Sequence, residues 1–319
     1  MRNRRALPIL ILAATFILAA CTSCSRSPIR RIGKLNTGVA YHVGIQGGSA
    51  FVTGNDGLVI IDIQERSRPK KTAVLDLGEA AMGVHVRDNL AYVGQGNYGF
   101  IIADVSDPAD PKMVGTYPSE VAEGICLIGN VAYVSQYDGE LAAIDVEDPG
   151  NTELLGSYQG KGMGLGVACH QDTVYFADGG RGLEVIDVSD PSSLTRVTTI
   201  SGTGGAKNMH IVGDIMYVAC HANGARILDI SDPRSPRTVA TFAQSGEAWG
   251  VAGDGTFLWI ADLQEGVELY DVRDPSNPRL IAQARDYAPH DIALDGGYAY
   301  LADQDRGLVI LEHIGDIED

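Results

Sequence analysis

Histidine and aspartate side chains from opposite ends of the chain are the residues best suited to chemistry. His42, His290 and Asp291 combine imidazole with carboxylate, which could bind a metal ion or perform general acid–base catalysis if the fold brings them together. The chain has no HExxH, no GxSxG and no pair of CxxC motifs, and GKGMGLG at residues 160–166 matches no phosphate-binding glycine pattern. We therefore predict a protein that is not an enzyme and has no cofactor, with catalytic or metal-dependent use of these three residues as the alternative.

The first 20 residues have the composition of an export signal. Arginines in the first five residues make a positive start, and residues 7–20 are apolar apart from Thr15, a stretch too short for a comfortable membrane span. It ends in LAAC at residues 18–21, which resembles the bacterial lipobox. That resemblance implies cleavage before Cys21 and acylation of this cysteine, with residues 1–20 as the lipoprotein signal peptide.

A lipid on Cys21 predicts a protein that is anchored to a membrane rather than spanning it. Residues 21–27 form a short tether whose six residues after the cysteine reach at most ~20 Å. We therefore expect the folded domain to lie close to the membrane, in the cell envelope. Thr22 follows the cysteine, and in a Gram-negative cell the lack of aspartate there favours the outer membrane by resemblance to the sorting rule.

The net charge of the chain limits the classes of partner it can bind. Removing the signal segment takes away three arginines and no acids, so the formal charge of −17 becomes −20. Such a surface repels phosphates, which argues against nucleic acid and against direct lipid binding beyond the anchor.

Roughly 300 residues can bury a core without disulfides or metal. Cys24 and Cys220 show no paired spacing, and Cys126 and Cys169 are predicted to be buried free thiols.

One strand-and-turn segment recurs along the chain, as in GFIIADVSDP from residue 99 and GLEVIDVSDP from residue 182. The copies are 41 or 42 residues apart, and each unit contains four short runs rich in Val, Ile and Tyr between turn residues. This period predicts an all-β fold, a seven-bladed β-propeller of four-stranded antiparallel blades. The aspartates that end the repeated strand are Asp62, Asp104, Asp145, Asp187, Asp229 and Asp271, with Glu312 in the seventh place.

The two ends of the repeat array predict a closed ring. The seventh unit stops after LVILE at residues 308–312, whereas PIRRIGKL at residues 28–35 has the register of a fourth strand without a blade. We predict that this N-terminal strand completes the last blade and removes exposed sheet edges. The propeller then covers residues 28–316, with blades at about 38–77, 80–119, 121–160, 161–203, 205–244, 245–285 and 286–316 plus 28–36.

The repeated segments resemble a known family. GLVIIDI, GLEVIDVSDP and GLVILE, with AYV or LAD in the preceding strand, resemble the LVIVD repeat of bacterial and archaeal cell-surface proteins. The resemblance implies a propeller at the cell surface with a scaffold role, and it implies no general activity. Two units depart from the pattern: residues 64–66 replace SDP in blade one, and Glu140 stands in the usual glycine place with Gly139 before it.

Residues that recur in every blade are predicted to serve the blade. Gly182 is expected to need a backbone conformation that a Cβ would hinder, and Asp187 to bond the turn after its strand. Asp190 and Pro191 are expected to form that turn, with the carboxylate accepting from an amide two residues on. His85 and His210 share one blade position and are read as strand packing.

Ligand-binding residues are expected where the repeats differ. In propellers the loops on one face surround the central channel, and at the start of the first strand four of the seven units have glycine, which fits crowding near the axis. The predicted ligand-binding residues on this channel face are Tyr41, His42, Glu123, Lys207, Asn208, Trp249, His290 and Asp291. We expect a binding or interaction scaffold for an envelope protein, a peptide or a glycan; a purely structural envelope protein is a further alternative.

Overall fold

The computed structural model describes residues 28–96, 99–242 and 246–315. Within these residues the chain forms seven antiparallel sheets of four strands each and one short 3-10 helix, Gly179–Arg181. The runs rich in valine, isoleucine and tyrosine are the strands, because such side chains pack well on a pleated, buried surface. The predicted all-β, seven-bladed propeller is confirmed. In this part of the chain no helix is long and apolar enough to cross a membrane.

Six sheets contain four consecutive strands, and the seventh combines the last three strands with the first. In chain order the strands are β1 (Ile29–Leu35), β2 (Ala40–Gln46), β3 (Ser49–Gly54), β4 (Gly57–Asp62), β5 (Lys70–Leu75), β6 (Ala81–Arg87), β7 (Leu90–Gln95), β8 (Gly99–Asp104), β9 (Lys112–Tyr117), β10 (Ala122–Ile128), β11 (Val131–Gln136), β12 (Glu140–Asp145), β13 (Glu153–Gln159), β14 (Gly164–His170), β15 (Thr173–Asp178), β16 (Leu183–Asp187), β17 (Thr195–Ile200), β18 (Asn208–Val212), β19 (Ile215–Ala219), β20 (Ala225–Asp229), β21 (Arg237–Phe242), β22 (Ala248–Gly253), β23 (Phe257–Asp262), β24 (Gly266–Asp271), β25 (Arg279–Ala284), β26 (Pro289–Asp295), β27 (Tyr298–Asp303) and β28 (Gly307–His313).

The N-terminal strand closes the ring, as the sequence predicts. Strand β1 pairs antiparallel with β28, from Ile29 opposite His313 to Leu35 opposite Leu308. The innermost strands of the first and last blades, β2 and β26, pack against each other. Each blade therefore has a neighbour on both sides, and the chain needs no capping repeat.

The core lies between the blades. The third strands, such as β8 and β16, are buried along almost their whole length, because each sheet packs against a blade on either face. At the closure, Val52 and Ile61 of the first blade share one apolar cluster with Tyr300 and Ile310 of the last. Burial of each large apolar side chain contributes roughly 1.5–3 kcal/mol, so these clusters hold the ring together.

Glycine before the third strand adopts a left-handed conformation, as predicted. Gly182 has a φ of 109°, and a Cβ on it would lie 3.0 Å from Thr203 Oγ1. Blade three obeys the same rule one residue earlier, because Gly139 has a φ of 89° and Glu140 begins the strand. The unusual glutamate therefore leaves this turn intact.

The repeated aspartates bond the turns, which confirms their structural role. In each of the six, Oδ1 accepts a hydrogen bond of 2.9–3.0 Å from the backbone amide two residues on; Asp187, for example, accepts from Ser189 N. Asp190 Oδ1 accepts from Ser192 N at 2.9 Å, also as predicted. In blade one Asp62 makes the same bond to Gln64 N, so the missing SDP does not disrupt the turn.

Two cysteines correct the sequence analysis. Cys126 in β10 and Cys169 in β14, predicted to be free thiols, form a disulfide with Cα atoms 5.7 Å apart. The prediction was wrong because it considered only cysteines close together in the sequence. The innermost strands of adjacent blades run side by side, so cysteines far apart in the sequence can also pair. A separation of 43 residues, about one repeat, brings the two thiols together. Cys220 is a buried free thiol, and burial raises its pKa to about 11.

Candidate functional site

The residues predicted to bind a ligand lie together at the mouth of the channel. A cavity of about 200 Å³ on this face is lined by Tyr41, His42, Met82, Glu123, Tyr137, Leu165, Lys207, Asn208, Trp249 and His290. The list contains every predicted binding residue except Asp291, which bonds directly to one of them, Asn208. Cys21 and the loop at residues 97–98 lie outside the described residues, so lipidation stays a prediction.

Glycines let the innermost strands converge on this mouth. A Cβ on Gly83 would overlap the carbonyl oxygen of Glu123, and one on Gly124 would lie 2.7 Å from the carbonyl oxygen of Leu165. A side chain at either position would push the blades apart, so the predicted crowding near the axis is confirmed. The polar side chains His42, Glu123, Lys207 and Asn208 line the cavity at this level.

His42 lies between two carboxylates from different blades. Its Nδ1 is 3.3 Å from Asp291 Oδ2, and its Nε2 is 3.8 Å from Glu123 Oε1. Asp291 also accepts from Val43 N at 3.1 Å and from Asn208 Nδ2 at 2.9 Å. Burial alone would lower the pKa of His42, but Asp291 and then Glu123 outweigh it and raise that pKa to about 10. The ring is therefore an imidazolium at neutral pH.

A row of aromatic rings forms one side of the mouth, and we call it the aromatic wall. Ring centroids are 5.6 Å apart between Tyr41 and His290, 5.2 Å between His290 and Trp249, and 5.7 Å between Trp249 and His221. His290 Nδ1 lies 3.1 Å from Ala40 O and must donate to that carbonyl. Burial lowers the pKa of His290, so this ring is neutral.

Two charged groups in the cavity, Lys207 and Glu123, are incompletely paired. Lys207 Nζ lies 4.5 Å from the ring centroid of Trp249, and its ammonium has no ion pair among the described residues. Burial lowers the Lys207 pKa, against the charges of Glu123 and Glu247. Glu123 Oε2 is buried without a hydrogen-bond partner, and Tyr137 is close enough that burial and this carboxylate together raise the tyrosine pKa.

Glu247 belongs to the rim of the site, although sequence reasoning missed it. Its Oε2 lies 3.2 Å from His221 Nε2 and accepts from Trp249 Nε1 at 3.4 Å. It therefore holds His221 and Trp249, two rings of the aromatic wall, in position. The signal in the sequence was its place two residues before Trp249, in the loop that leads to β22.

A second cavity of about 460 Å³ continues down the channel and shares four lining residues with the first, namely His42, Glu123, Lys207 and Asn208. His85 and His210, read from the sequence as strand packing, also line it, so that interpretation was incomplete. Burial and the charge of Arg87 lower the His85 pKa to about 4. The inner channel therefore carries neutral imidazoles beneath a charged mouth.

His42, His290 and Asp291 are neighbours across the closed ring, but their bonds do not suit the catalytic alternative. Both oxygens of Asp291 accept hydrogen bonds, and His290 Nδ1 is occupied by a carbonyl. An imidazolium at His42 has no lone pair for a metal ion. Among the described residues no group of three or more His, Cys, Asp or Glu side chains is arranged to hold a metal. That the protein is not an enzyme stays a prediction.

The fold and this site define a repeat protein, a seven-bladed β-propeller with a charged cavity on its channel face. The chain belongs to the LVIVD repeat family, whose repeat matches at residues 37–72, 78–119, 121–160, 161–200, 203–243, 245–285 and 288–312. No curated protein matches it. Among solved structures it is similar to the computationally designed Ika8 protein, at 8% identity over 89% of this chain and 99% of that one, with a TM-score of 0.66. That likeness concerns the fold alone.

Proposed function

We propose that this protein is a lipid-anchored β-propeller of the cell envelope that acts as a binding or interaction scaffold and recognises its ligand at the channel-face cavity. The observation that carries the proposal is the unpaired state of Glu123 Oε2 and of the Lys207 ammonium beside the aromatic wall. Charged groups that lose water without gaining a partner destabilise the fold. A ligand that pairs with them recovers that free energy, whereas a purely structural protein has no use for such a site.

Two features support an envelope location. LAAC at residues 18–21 resembles a lipobox, and the disulfide between Cys126 and Cys169 is of a kind that persists in oxidising compartments outside the cytosol. A short tether keeps the propeller near the membrane, so its partner is an envelope protein, a peptide or a glycan that comes there. The acidic surface disfavours nucleic acid.

Membrane anchoring is tested by Cys21→Ser, with Cys24→Ser as the matched control. We expect the unmodified protein and the control to incorporate labelled palmitate and to sediment with membranes. The Cys21 variant should lose the label and leave the membrane fraction. Equal membrane association of all three proteins without a label would contradict the lipid anchor.

Recognition at the cavity is tested by intrinsic fluorescence. The chain has two tryptophans, Trp249 in the cavity wall and Trp259, which is buried in the core. Titration with free amino acids, capped tripeptides and disaccharides should therefore change the emission of Trp249 saturably for at least one class. Trp249→Phe should abolish the change. A signal that persists in this variant, or no saturable signal for any class, would contradict binding at the cavity.

A further inference from the structure

The charges of the channel face divide into those that satisfy each other and those that do not. Asp291 is paired with His42 and bonded by two further donors, so neither of these groups is available to a ligand. Glu247 is likewise engaged by His221 and Trp249. One carboxylate oxygen and one ammonium remain, Glu123 Oε2 and Lys207 Nζ, since Glu123 Oε1 faces His42.

Glu123 offers a buried acceptor. Its side chain is only 13% exposed, its Oε2 makes no hydrogen bond, and its Oε1 lies 3.8 Å from His42 Nε2, with the Tyr137 hydroxyl also near the carboxylate. A carboxylate accepts hydrogen bonds and donates none. A cationic N–H group is the partner that satisfies it best, because charge-assisted hydrogen bonds are roughly twice as strong as neutral ones.

Lys207 is a hydrogen-bond donor of opposite charge in the same cavity. Its ammonium has three donors and no acceptor, and it rests over Trp249 without a carboxylate bonded to it. Glu123 and Lys207 are both in the lining yet form no ion pair with each other. The cavity thus presents a cation for an anionic group and a carboxylate oxygen for a cationic group.

The size and walls of the cavity limit the ligand. A volume of about 200 Å³ lies below the roughly 300–1,000 Å³ of sites for drug-sized ligands. Met82, Leu165 and the aromatic wall supply apolar surface beside the charged pair. A sugar of this size would bind both charged groups through neutral hydroxyls, which make weaker hydrogen bonds than charged groups do. A small zwitterion would place a group of opposite charge beside each of them.

We infer that this cavity is a binding site for a free α-amino acid, whose ammonium group bonds to Glu123, whose carboxylate pairs with Lys207 and whose side chain lies on the aromatic wall. The inference rests on the proposed function and specifies its ligand. The two residues act as recognition groups; His42 positions Glu123, and Trp249 supports Lys207.

The test measures binding of amino acids and their blocked derivatives to the purified full chain. Calorimetric titration would use L-leucine, L-phenylalanine and L-glutamine, each compared with its amide, which lacks the carboxylate, and its N-acetyl form, which lacks the ammonium. We expect at least one free amino acid to bind, and each of its blocked forms to bind at least about tenfold more weakly. This comparison needs no variant and so does not depend on refolding.

Two variants then assign the groups. Glu123→Gln should weaken binding of the free amino acid about tenfold or more and remove the preference over the N-acetyl form. Lys207→Met should remove the preference over the amide instead. Glu153→Gln and Lys71→Met, which change exposed residues of β13 and β5, should leave affinity and both preferences unchanged. A merely structural role would weaken all three ligand forms equally.

Three results would overturn the inference: no binding of any tested amino acid at concentrations up to about 10 mM, equal binding of free and blocked forms, or unchanged preferences in Glu123→Gln and Lys207→Met. If a capped tripeptide or disaccharide still altered Trp249 fluorescence, the proposed function would stand without this ligand class. If no class bound at all, both would fail.

Discussion

Removal of the imidazolium in the His42 to Asp291 pair gives the sharpest test of the site's electrostatics. We consider His42→Gln, which keeps a polar side chain of similar reach but cannot carry charge. In the folded protein burial opposes protonation of His42, while Asp291 and Glu123 favour it and raise its pKa from 6.5 to about 10. The variant leaves Asp291 with its two amide donors and without its cation.

The expected magnitude follows from linkage. A pKa difference between 6.5 and about 10 corresponds to at most about 5 kcal/mol, and since 24% of the side chain is exposed, solvent screening reduces this to roughly 2–4 kcal/mol. The folded state holds a proton that the unfolded state releases above pH 6.5. The stabilisation is therefore complete below pH 6.5 and is lost as pH rises through about 10, with a slope of up to about −1.4 kcal/mol per pH unit.

The assay is urea unfolding of the unmodified protein and of His42→Gln at pH 6, 7, 8 and 9, with His170→Gln, at the end of β14, as the control. The difference in unfolding free energy between the first two proteins should be largest at pH 6 and shrink steadily toward pH 9. The control should follow the unmodified protein throughout. Parallel curves for His42→Gln and the unmodified protein across this range would show that His42 is not a protonated partner of Asp291.

Three further predictions concern the ring. Deletion of residues 28–36 should lower the melting temperature by roughly 10 °C and promote association, because β28 loses its partner and becomes an exposed edge; unchanged melting would contradict closure. Replacing Cys126 and Cys169 by serine should lower the unfolding free energy by about 4 kcal/mol in denaturant titration, given a loop of 43 residues, and reducing agent should have no further effect on that variant. Gly182→Ala should cost roughly 1–3 kcal/mol in the same titration because of its φ of 109°, whereas Gly180→Ala, with open space around it, should cost far less.

The fold was predictable because its determinants are periodic. Six blades end the third strand with an aspartate that bonds the following turn, as Asp187 does. The register of residues 28–35 predicted a fourth strand, and these residues pair with β28. A period near 42 residues sets the number of blades, and an incomplete last unit identifies the closing strand. These are local signals, so one chain suffices to detect them.

The contacts between blades were less predictable. The disulfide of Cys126 and Cys169 depends on side-by-side strands one repeat apart, and the bond between Asn208 and Asp291 joins blades five and seven. The sequence placed both polar residues on the channel face but could not show that Asp291 is saturated. It therefore left open a catalytic use that the hydrogen bonds disfavour. Geometry around the axis decides which side chains meet, and no linear pattern encodes it.

The channel mouth shows why the site depends on departures from the repeat. A ring of seven blades brings the same strand position around one axis, and seven identical charges there would repel each other. Polar side chains at this position come only from blades one, five and seven, as His42, Asn208 and Asp291, while blades two, three, four and six carry Gly83, Gly124, Gly166 and Gly250; Glu123 stands one residue before the glycine of blade three. A Cβ on Gly250 would lie 2.9 Å from Asp291 Cα and 3.2 Å from its Oδ1, in the path of the bond to Asn208. The glycines thus allow polar groups of different blades to meet near the axis, and the same arrangement leaves Glu123 Oε2 and the Lys207 ammonium for a ligand.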